Sequence, residues 1–244
     1  MSKIRLYIPA PIAAESELDL PGDRAHYLGR VLRLKAGGQL TVFDGDGGEY
    51  PATVESLRKA SARLRVGARH TEDRESPRTL RLIQGVSRGE RMDFVVQKAT
   101  ELGVTEIQPV ITARSVVRLD GERRERRLAH WQGVTASACE QCGRNRLPRV
   151  AASMSLSEYL AHKSDAVLRA TLSPLAGTRL ADASPDAGGA IDLLIGPEGG
   201  LSDEEREQAL RAGFESYALG PRILRSETAA LAAVTIAQTL WGDV

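Results

Sequence analysis

From Leu80 to the end of the chain, short apolar runs alternate with stretches of helical period, and this alternation limits the fold more than any other feature. Leu80–Ile83, Ile107–Ile111, Ala166–Leu172 and Ile191–Ile195 read as strands, and Ser216–Leu219 is strand-like. Arg91–Leu102 reads as an amphipathic helix with Met92, Val95, Val96, Ala99 and Leu102 on one face, stopped by Gly103. Further helices are predicted over Glu122–Gln141, over Asp203–Ala212 with Gly213 as its stop, and over Glu227–Trp241 with Ser226 as its N-cap. Strands and helices in alternation imply an α/β domain, a mostly parallel sheet with helices on its faces.

The part before it has a different rhythm. Leu40–Phe43 and Tyr50–Val54 flank Asp44-Gly45-Asp46-Gly47-Gly48, a strong hairpin signal. Ala62, Leu64, Val66 and Ala68 then alternate with Arg63, Arg65, Gly67 and Arg69, the period of a half-buried strand. The polar run Thr71–Arg78, with Pro77, is the best linker candidate. The expected organisation is a small β-domain over residues 1–72 followed by an α/β domain over 78–244, with no internal repeat. A chain of 244 residues suits one large domain or two modest ones.

Composition excludes several classes. With 42% apolar residues the chain can bury a core, so disorder is excluded as its main state. The longest uncharged run, Thr228–Gly242, is too short and too polar to span a bilayer, and Pro9 and Pro11 interrupt any signal-peptide core. Two cysteines make no disulfide framework, which points to the cytoplasm. Cys139-Glu140-Gln141-Cys142 lacks the second ligand pair of a structural zinc site, and the four histidines show no ligand spacing, so no metal is expected. Net charge is only +1, yet residues 111–150 hold nine arginines against four acids, and 191–244 hold four against nine. The arginine-rich stretch is either a solvated helix face or a surface that meets phosphate.

Two loops could carry chemistry, each after a predicted strand and before a predicted helix. They are Ile195-Gly196-Pro197-Glu198-Gly199-Gly200-Leu201-Ser202 and Leu219-Gly220-Pro221-Arg222-Ile223-Leu224-Arg225-Ser226-Glu227-Thr228. In α/β folds ligands collect beyond the carboxyl ends of strands, and glycine lets backbone N–H groups approach them. Neither loop is a P-loop or a dinucleotide fingerprint. Glycine-rich turns are often only turns; two in the last fifth of the chain favour one composite pocket.

The same residues resemble a known family. "IGPEGGLSDEE" and "LGPRILRSETAALAA" are similar to the two C-terminal signatures of the bacterial small-subunit (16S) ribosomal RNA uridine-N3 methyltransferases, the RsmE type of the SPOUT superfamily. The likeness continues in "RGERMDFVVQKATELGV" (88–104) and "ACEQCGRNRLP" (138–148), and "HYLGRVLRLKAGGQLTVFDGDG" (26–47) resembles that family's PUA-like β-barrel. The resemblance implies a SPOUT-type α/β knot, a deep C-terminal trefoil, preceded by the barrel. It implies S-adenosyl-L-methionine as cofactor, small-subunit ribosomal RNA or the assembled small subunit as substrate, and a homodimer. Ala229, Ala230, Ala232, Ala233 and Ala237 on the last helix fit a dimer contact or packing against the chain's own sheet equally well.

Carried onto this chain, the cofactor pocket is expected from Leu172, Ile195, Gly196, Gly199 and Gly200, closed by Leu219, Gly220, Ile223, Leu224 and Ser226. Thr171 and Ser173 stand where the family often has Asn and His, and "RSET" replaces the commoner "RTET" while keeping the hydroxyl. The sulfonium methyl is already activated, so the task is to align uridine N3 with it and remove the N3 proton. Arg225 is the candidate to stabilise the resulting anion, against a structural salt bridge with Glu198 or Glu227. Glu198 is the candidate base, against a loop-bracing role. Arg30 and Arg33 on the β-domain, and Arg144, Asn145 and Arg146 on the catalytic domain, are the expected RNA contacts. The alternatives are a non-catalytic RNA-binding ribosome-assembly factor, or a related methyltransferase acting on another RNA.

Overall fold

The computed structural model describes residues 4–9, 11–115 and 121–244. The chain divides into two compact units, one of residues 1–75 with 139–147, the other of 76–138 with 148–244.

The first unit is a five-stranded sheet. Its elements are β1 (Arg5–Tyr7), β2 (Glu17–Pro21), α1 (Gly22–His26) running into a wide helical turn at Tyr27–Val31, β3 (Gln39–Phe43), β4 (Glu49–Leu57) and β5 (Ser61–Val66). Strand order is β1-β3-β4-β5-β2, antiparallel except for β1 beside β3. β3 and β4 are the hairpin strands expected around Asp44–Gly48, and β5 alternates as its sequence does: Ala62, Leu64 and Val66 are buried, Ser61, Arg63 and Arg65 exposed. The exposed arginines pair with Asp19, Glu17 and Glu55 across the sheet. β1 and α1 are too short to show a period, and β2, in which Leu18 and Leu20 alternate with Glu17 and Asp19, is an element that the sequence reading does not include.

The second unit contains β6 (Leu80–Gly85), α2 (Glu90–Glu101), β7 (Glu106–Ile111), most of α3 (Gly121–Cys142), β8 (Arg149–Val150), β9 (Met154–Ser155), α4 (Leu156–Ala161), β10 (Ala166–Leu172), β11 (Ala190–Ile195), α5 (Asp203–Arg211), β12 (Glu215–Tyr217) and α6 (Ser226–Trp241). Seven strands pair in the order β12-β10-β11-β6-β7-β8, with β9 also on β7, and every pairing is parallel. Side chains alternate between two cores. Leu80 and Leu82 of β6 and Ile191, Leu193 and Ile195 of β11 face the core that includes α2 and α6. Ile83 and Leu194 join Leu156, Ala209 and Phe214 in a second core with α4 and α5. Burial of β11 on both faces explains why five of its six residues, all but Asp192, are apolar. Ala230, Ala233 and Ala237 lie in the core beside α2, so the chain's own packing accounts for three of the five alanines of α6.

Three sequence expectations change. Ser226 is not the N-cap of α6: the cap is Arg225, without a side-chain cap bond, and Ser226 is the first helical residue. The stretch Thr71–Arg78 is not a free linker. Glu72, Arg74 and Glu75 are bonded within the first unit, through Asn145, Glu49 and Arg144. Ser76 and Arg78 are bonded within the second, to Gln238 and to the Trp241, Asp186 and Gly189 carbonyls. Arg144, Asn145 and Arg146 group with the first unit rather than with the second, where the sequence reading placed them.

Candidate active site

β10, β11 and β6 all end at the same edge of the parallel sheet, where their last backbone groups have no strand to bond. The chain leaves β11 at Ile195 and turns through Gly196–Leu201, with Gly200 at φ +68° donating its N–H to the Pro197 carbonyl (2.8 Å). A left-handed φ at this step suits only glycine without strain. Ser202 then caps α5 in a reciprocal box with Glu205. The second loop runs from Ala218 to Arg225 and delivers Ser226 back to the first. Its Oγ donates to the Gly196 carbonyl (2.5 Å) and accepts from Gln84 Nε2 (3.2 Å), which also donates to the Gly85 carbonyl. Gln84 is fully buried at the end of β6. One hydroxyl therefore locks both loops to the sheet edge.

Between the loops lies a cavity of about 380 Å³. Leu172, Ile195, Gly196, Gly199, Gly200, Ile223, Leu224 and Ser226 line it, as do Arg225 and Glu198. Leu219 and Gly220 line an adjoining space of about 110 Å³ that shares Leu172, Ile223 and Leu224 with it. Sequence reasoning missed Arg91, Arg206, Ser216 and Ala229, which also face the larger cavity. It missed Gly85 as well, where a Cβ would sit 2.5 Å from the Pro197 nitrogen. Nothing in the local sequence marks Gly85, because the contact is with a loop far along the chain.

The charged groups sort by what already holds them. Burial raises the Glu198 carboxyl, but hydrogen bonds from its own and the Arg88 backbone N–H and the Arg91 guanidinium outweigh it and hold the carboxyl below its usual range. Oε1 of Glu198 accepts from Arg88 N (3.1 Å) and Arg91 Nη1 (2.9 Å). Its carboxylate braces the loop onto the start of α2. Arg206 pairs with Asp203 (2.7 Å). Arg225 is exposed and pairs with neither Glu198 nor Glu227 among the described residues, so the salt bridge weighed as its structural role is not formed. The cavity thus offers apolar walls from Leu172, Ile195, Ile223, Leu224 and Ala229, backbone groups freed by glycine, and guanidinium groups nearby. That donor set fits a ligand with a flat heteroaromatic ring, hydroxyls and a carboxylate, and the volume is at the small end for such sites.

In the first unit, Arg30 and Arg33 are exposed and make no ion pair among the described residues. Arg146 is exposed over Gly47. Arg144 and Asn145 are corrected: at 4% and 2% exposure they are not presented to a partner. Arg144 holds Glu75 (2.5 Å), and Asn145 accepts from Arg5 (2.5 Å) and donates to the Glu72 carbonyl (2.9 Å). Cys139 is buried and Cys142 half-buried; hydrogen bonding to Cys142 and burial push the Cys139 thiol up. No group of three His, Cys, Asp or Glu side chains able to hold a metal occurs among the described residues.

A parallel sheet whose strand ends carry two interlocked glycine loops, in a chain with a separate β-unit, has the plan of an RNA methyltransferase. The RNA methyltransferase domain family matches residues 74–238, and the RNA methyltransferase PUA domain family matches residues 20–67. Ribosomal RNA small subunit methyltransferase E of Buchnera aphidicola is 30% identical over 240 residues, covering 98% of this chain and 97% of that protein. The Bacillus subtilis protein of the same name is 31% identical, covering 88% and 87%. The crystal structure of a ribosomal RNA small subunit methyltransferase E from Neisseria gonorrhoeae bound to S-adenosyl methionine superposes with TM-score 0.93 at 44% identity, over 99% of both chains. A putative methyltransferase from Legionella pneumophila, in complex with the same cofactor, gives 0.95 at 37% over the full length of both. The chain belongs to the ribosomal RNA small subunit methyltransferase E family.

Proposed function

We propose that this protein transfers a methyl group from S-adenosylmethionine to N3 of a uridine in small-subunit ribosomal RNA. The observation that carries the reading is the cavity between the Gly196–Leu201 and Ala218–Arg225 loops, in a chain so closely similar to a cofactor-bound family member. Leu172, Ile195, Gly196, Gly199, Gly200, Ile223, Leu224 and Ser226 would hold the cofactor, with Leu219 and Gly220 at one end. The cofactor supplies an electrophilic methyl carbon on a cationic sulfur, and this chemistry requires no metal.

The protein's own part is positioning and charge. Arg225, exposed at the mouth and free of carboxylate partners among the described residues, stabilises the negative charge that spreads onto the uracil carbonyl oxygens when N3 loses its proton. Arg30, Arg33 and Arg146 of the first unit hold phosphates. The reading includes a cytoplasmic homodimer and a trefoil knot through the two loops. No helix of the described residues is long and apolar enough to cross a membrane.

The deciding experiment is methyl transfer from labelled S-adenosylmethionine to undermethylated small subunits, followed by nucleoside analysis. Label in 3-methyluridine is the expected result. Label in another nucleoside overturns the position, and absence of both label and cofactor binding overturns the activity. Arg225→Ala is expected to lower turnover about 10²–10³-fold with cofactor affinity unchanged. Equal loss of both would make Arg225 structural.

A further inference from the structure

We infer that Glu227 is the group that takes the N3 proton, and that it acts at the wall between the cofactor cavity and a second cavity along α2. The inference rests on the reading of uridine N3 as the nucleophile and adds the residue which that reading lacks. Among the described residues the cofactor cavity is lined by two carboxylates, Glu198 and Glu227, and by the cations Arg91, Arg206 and Arg225, with no His, Lys, Tyr or Cys side chain. Guanidinium groups stay protonated at any working pH and cannot serve as bases. Glu198 is engaged by Arg88 N and Arg91. Glu227 is not: its Oε2 is buried and has no hydrogen-bond partner.

The second cavity places Glu227 further. A space of about 540 Å³ is lined by Glu90, Arg91, Asp93, Phe94, Gln97, Val134 and Glu227. Arg91 and Glu227 are the residues common to both cavities. A methyl carbon held in one and a base entering by the other meet at that shared wall. Asp93 is already committed, its two oxygens bonded to His130 Nε2 (2.8 Å) and Trp131 Nε1 (3.1 Å). Glu90 is exposed and lines only the outer space. Phe94, 45% exposed there, offers a ring face on which a uracil can stack.

The step balances. Glu227 accepts the proton from N3. The N3 electron pair forms the new N–C bond while the C–S pair stays with sulfur as a neutral thioether, leaving a protonated Glu227, 3-methyluridine and S-adenosylhomocysteine. The charged groups that line the two cavities with Glu227 are Glu90, Arg91 and Asp93 from α2, Glu198 from the first loop, Arg206 from α5 and Arg225 beside it. Of the three guanidinium groups that line the cavity, Arg91 is paired with Glu198 and Arg206 with Asp203, which leaves Arg225 to favour the uracil anion.

The test is Glu227→Gln in full-length protein, assayed by single-turnover transfer to small subunits against pH, with cofactor affinity measured by calorimetry. The expected result is a rate about 10²–10⁴-fold lower that climbs with pH as the uridine ionises unaided, with cofactor affinity unchanged. RNA carrying 5-fluorouridine at the target, whose N3–H is more acidic, should recover much of the lost rate in the variant. Glu227→Asp, which keeps a carboxylate, should keep the wild-type pH profile at reduced rate. A Glu227→Gln enzyme as fast as wild type overturns the assignment. So does loss of cofactor binding, or a slow rate that 5-fluorouridine does not rescue, since either marks a structural role. Wild-type protein yielding a nucleoside other than 3-methyluridine overturns instead the reading beneath it.

Discussion

Asp192 has no exposed surface and sits in the middle strand of the parallel sheet, in register with Arg81 on one side and Arg169 on the other. Its carboxylate accepts from Arg81 Nε (2.6 Å) and Ser164 Oγ (2.7 Å) and lies 3.3 Å from Arg169 Nε as an ion pair without hydrogen-bond alignment. Removing one partner of a buried ion pair strands the other, so Asp192→Ala should cost about 3–5 kcal/mol in denaturant unfolding. A loss below about 1 kcal/mol would show that water reaches both arginines. Glu49 makes a pH-dependent contribution in the other unit. Burial raises its carboxyl, but Arg5, Asn145 and Arg74 outweigh it and hold the folded value below the ordinary 4.5. A depressed carboxyl stabilises fully above its unfolded value, and that contribution is lost as pH falls through the folded one. Acid unfolding of Glu49→Gln should accordingly be shallower below pH 4.5 than that of wild type. Residue types were legible in the sequence at such positions, but not burial. Arg144, Asn145 and Arg146 look alike as a polar run, yet only Arg146 is exposed.

Elements were more legible than residues, because a period of 2 or 3.6 repeats along the segment that forms it. α2 was foreseen from Met92, Val95, Val96 and Ala99, all of them buried. β1 and β8 are too short to show a period, and pairing across the sheet creates them. The two glycine loops were visible as sequence; the lock between them was not, since Ser226, Gly196 and Gln84 come from three distant segments. Gly85 is the sharpest case. A Cβ there would meet Pro197 N at 2.5 Å and Gly196 C at 2.9 Å, both backbone atoms, so the first loop must move. Gly85→Ala should therefore lower cofactor affinity at least tenfold with the far-ultraviolet spectrum unchanged. Unchanged affinity would show that the loop does not set the pocket. Ser226→Ala removes the donor to Gly196 and should weaken binding in the same direction, while Ser226→Thr keeps the hydroxyl and should bind as wild type does.

At the scale of the whole molecule, the unit built on residues 1–75 is not a continuous piece of chain. Cys139–Leu147 belongs to it, although "ACEQCGRNRLP" reads as part of the longer second half. No local pattern announces this, because a helix such as α3 carries the same period on both sides of a unit boundary. The physical ties are specific. Glu140 accepts the Tyr7 N–H (2.9 Å), Arg144 holds Glu75, and Asn145 receives Arg5, whose guanidinium also pairs with Glu49 (2.6 Å) and lies over the Phe43 ring (4.8 Å). A fragment ending at Glu75 keeps every strand of its sheet, and Arg5 keeps Glu49, but Asn145 is taken from Arg5, Arg144 from Glu75 and Glu140 from the Tyr7 N–H. Buried groups left unpaired cost about 1–3 kcal/mol each, and a domain this small has a total margin of about 5–15 kcal/mol. The fragment 1–75 should therefore lack a cooperative thermal transition and show a collapsed amide proton spectrum. Adding a peptide of residues 138–148 in trans should restore dispersion, and the same peptide with Arg144→Ala should not. A fragment that unfolds cooperatively without the peptide would mean that the sheet's own core, from Leu6 through Val66, suffices, and that the segment only docks on a finished unit.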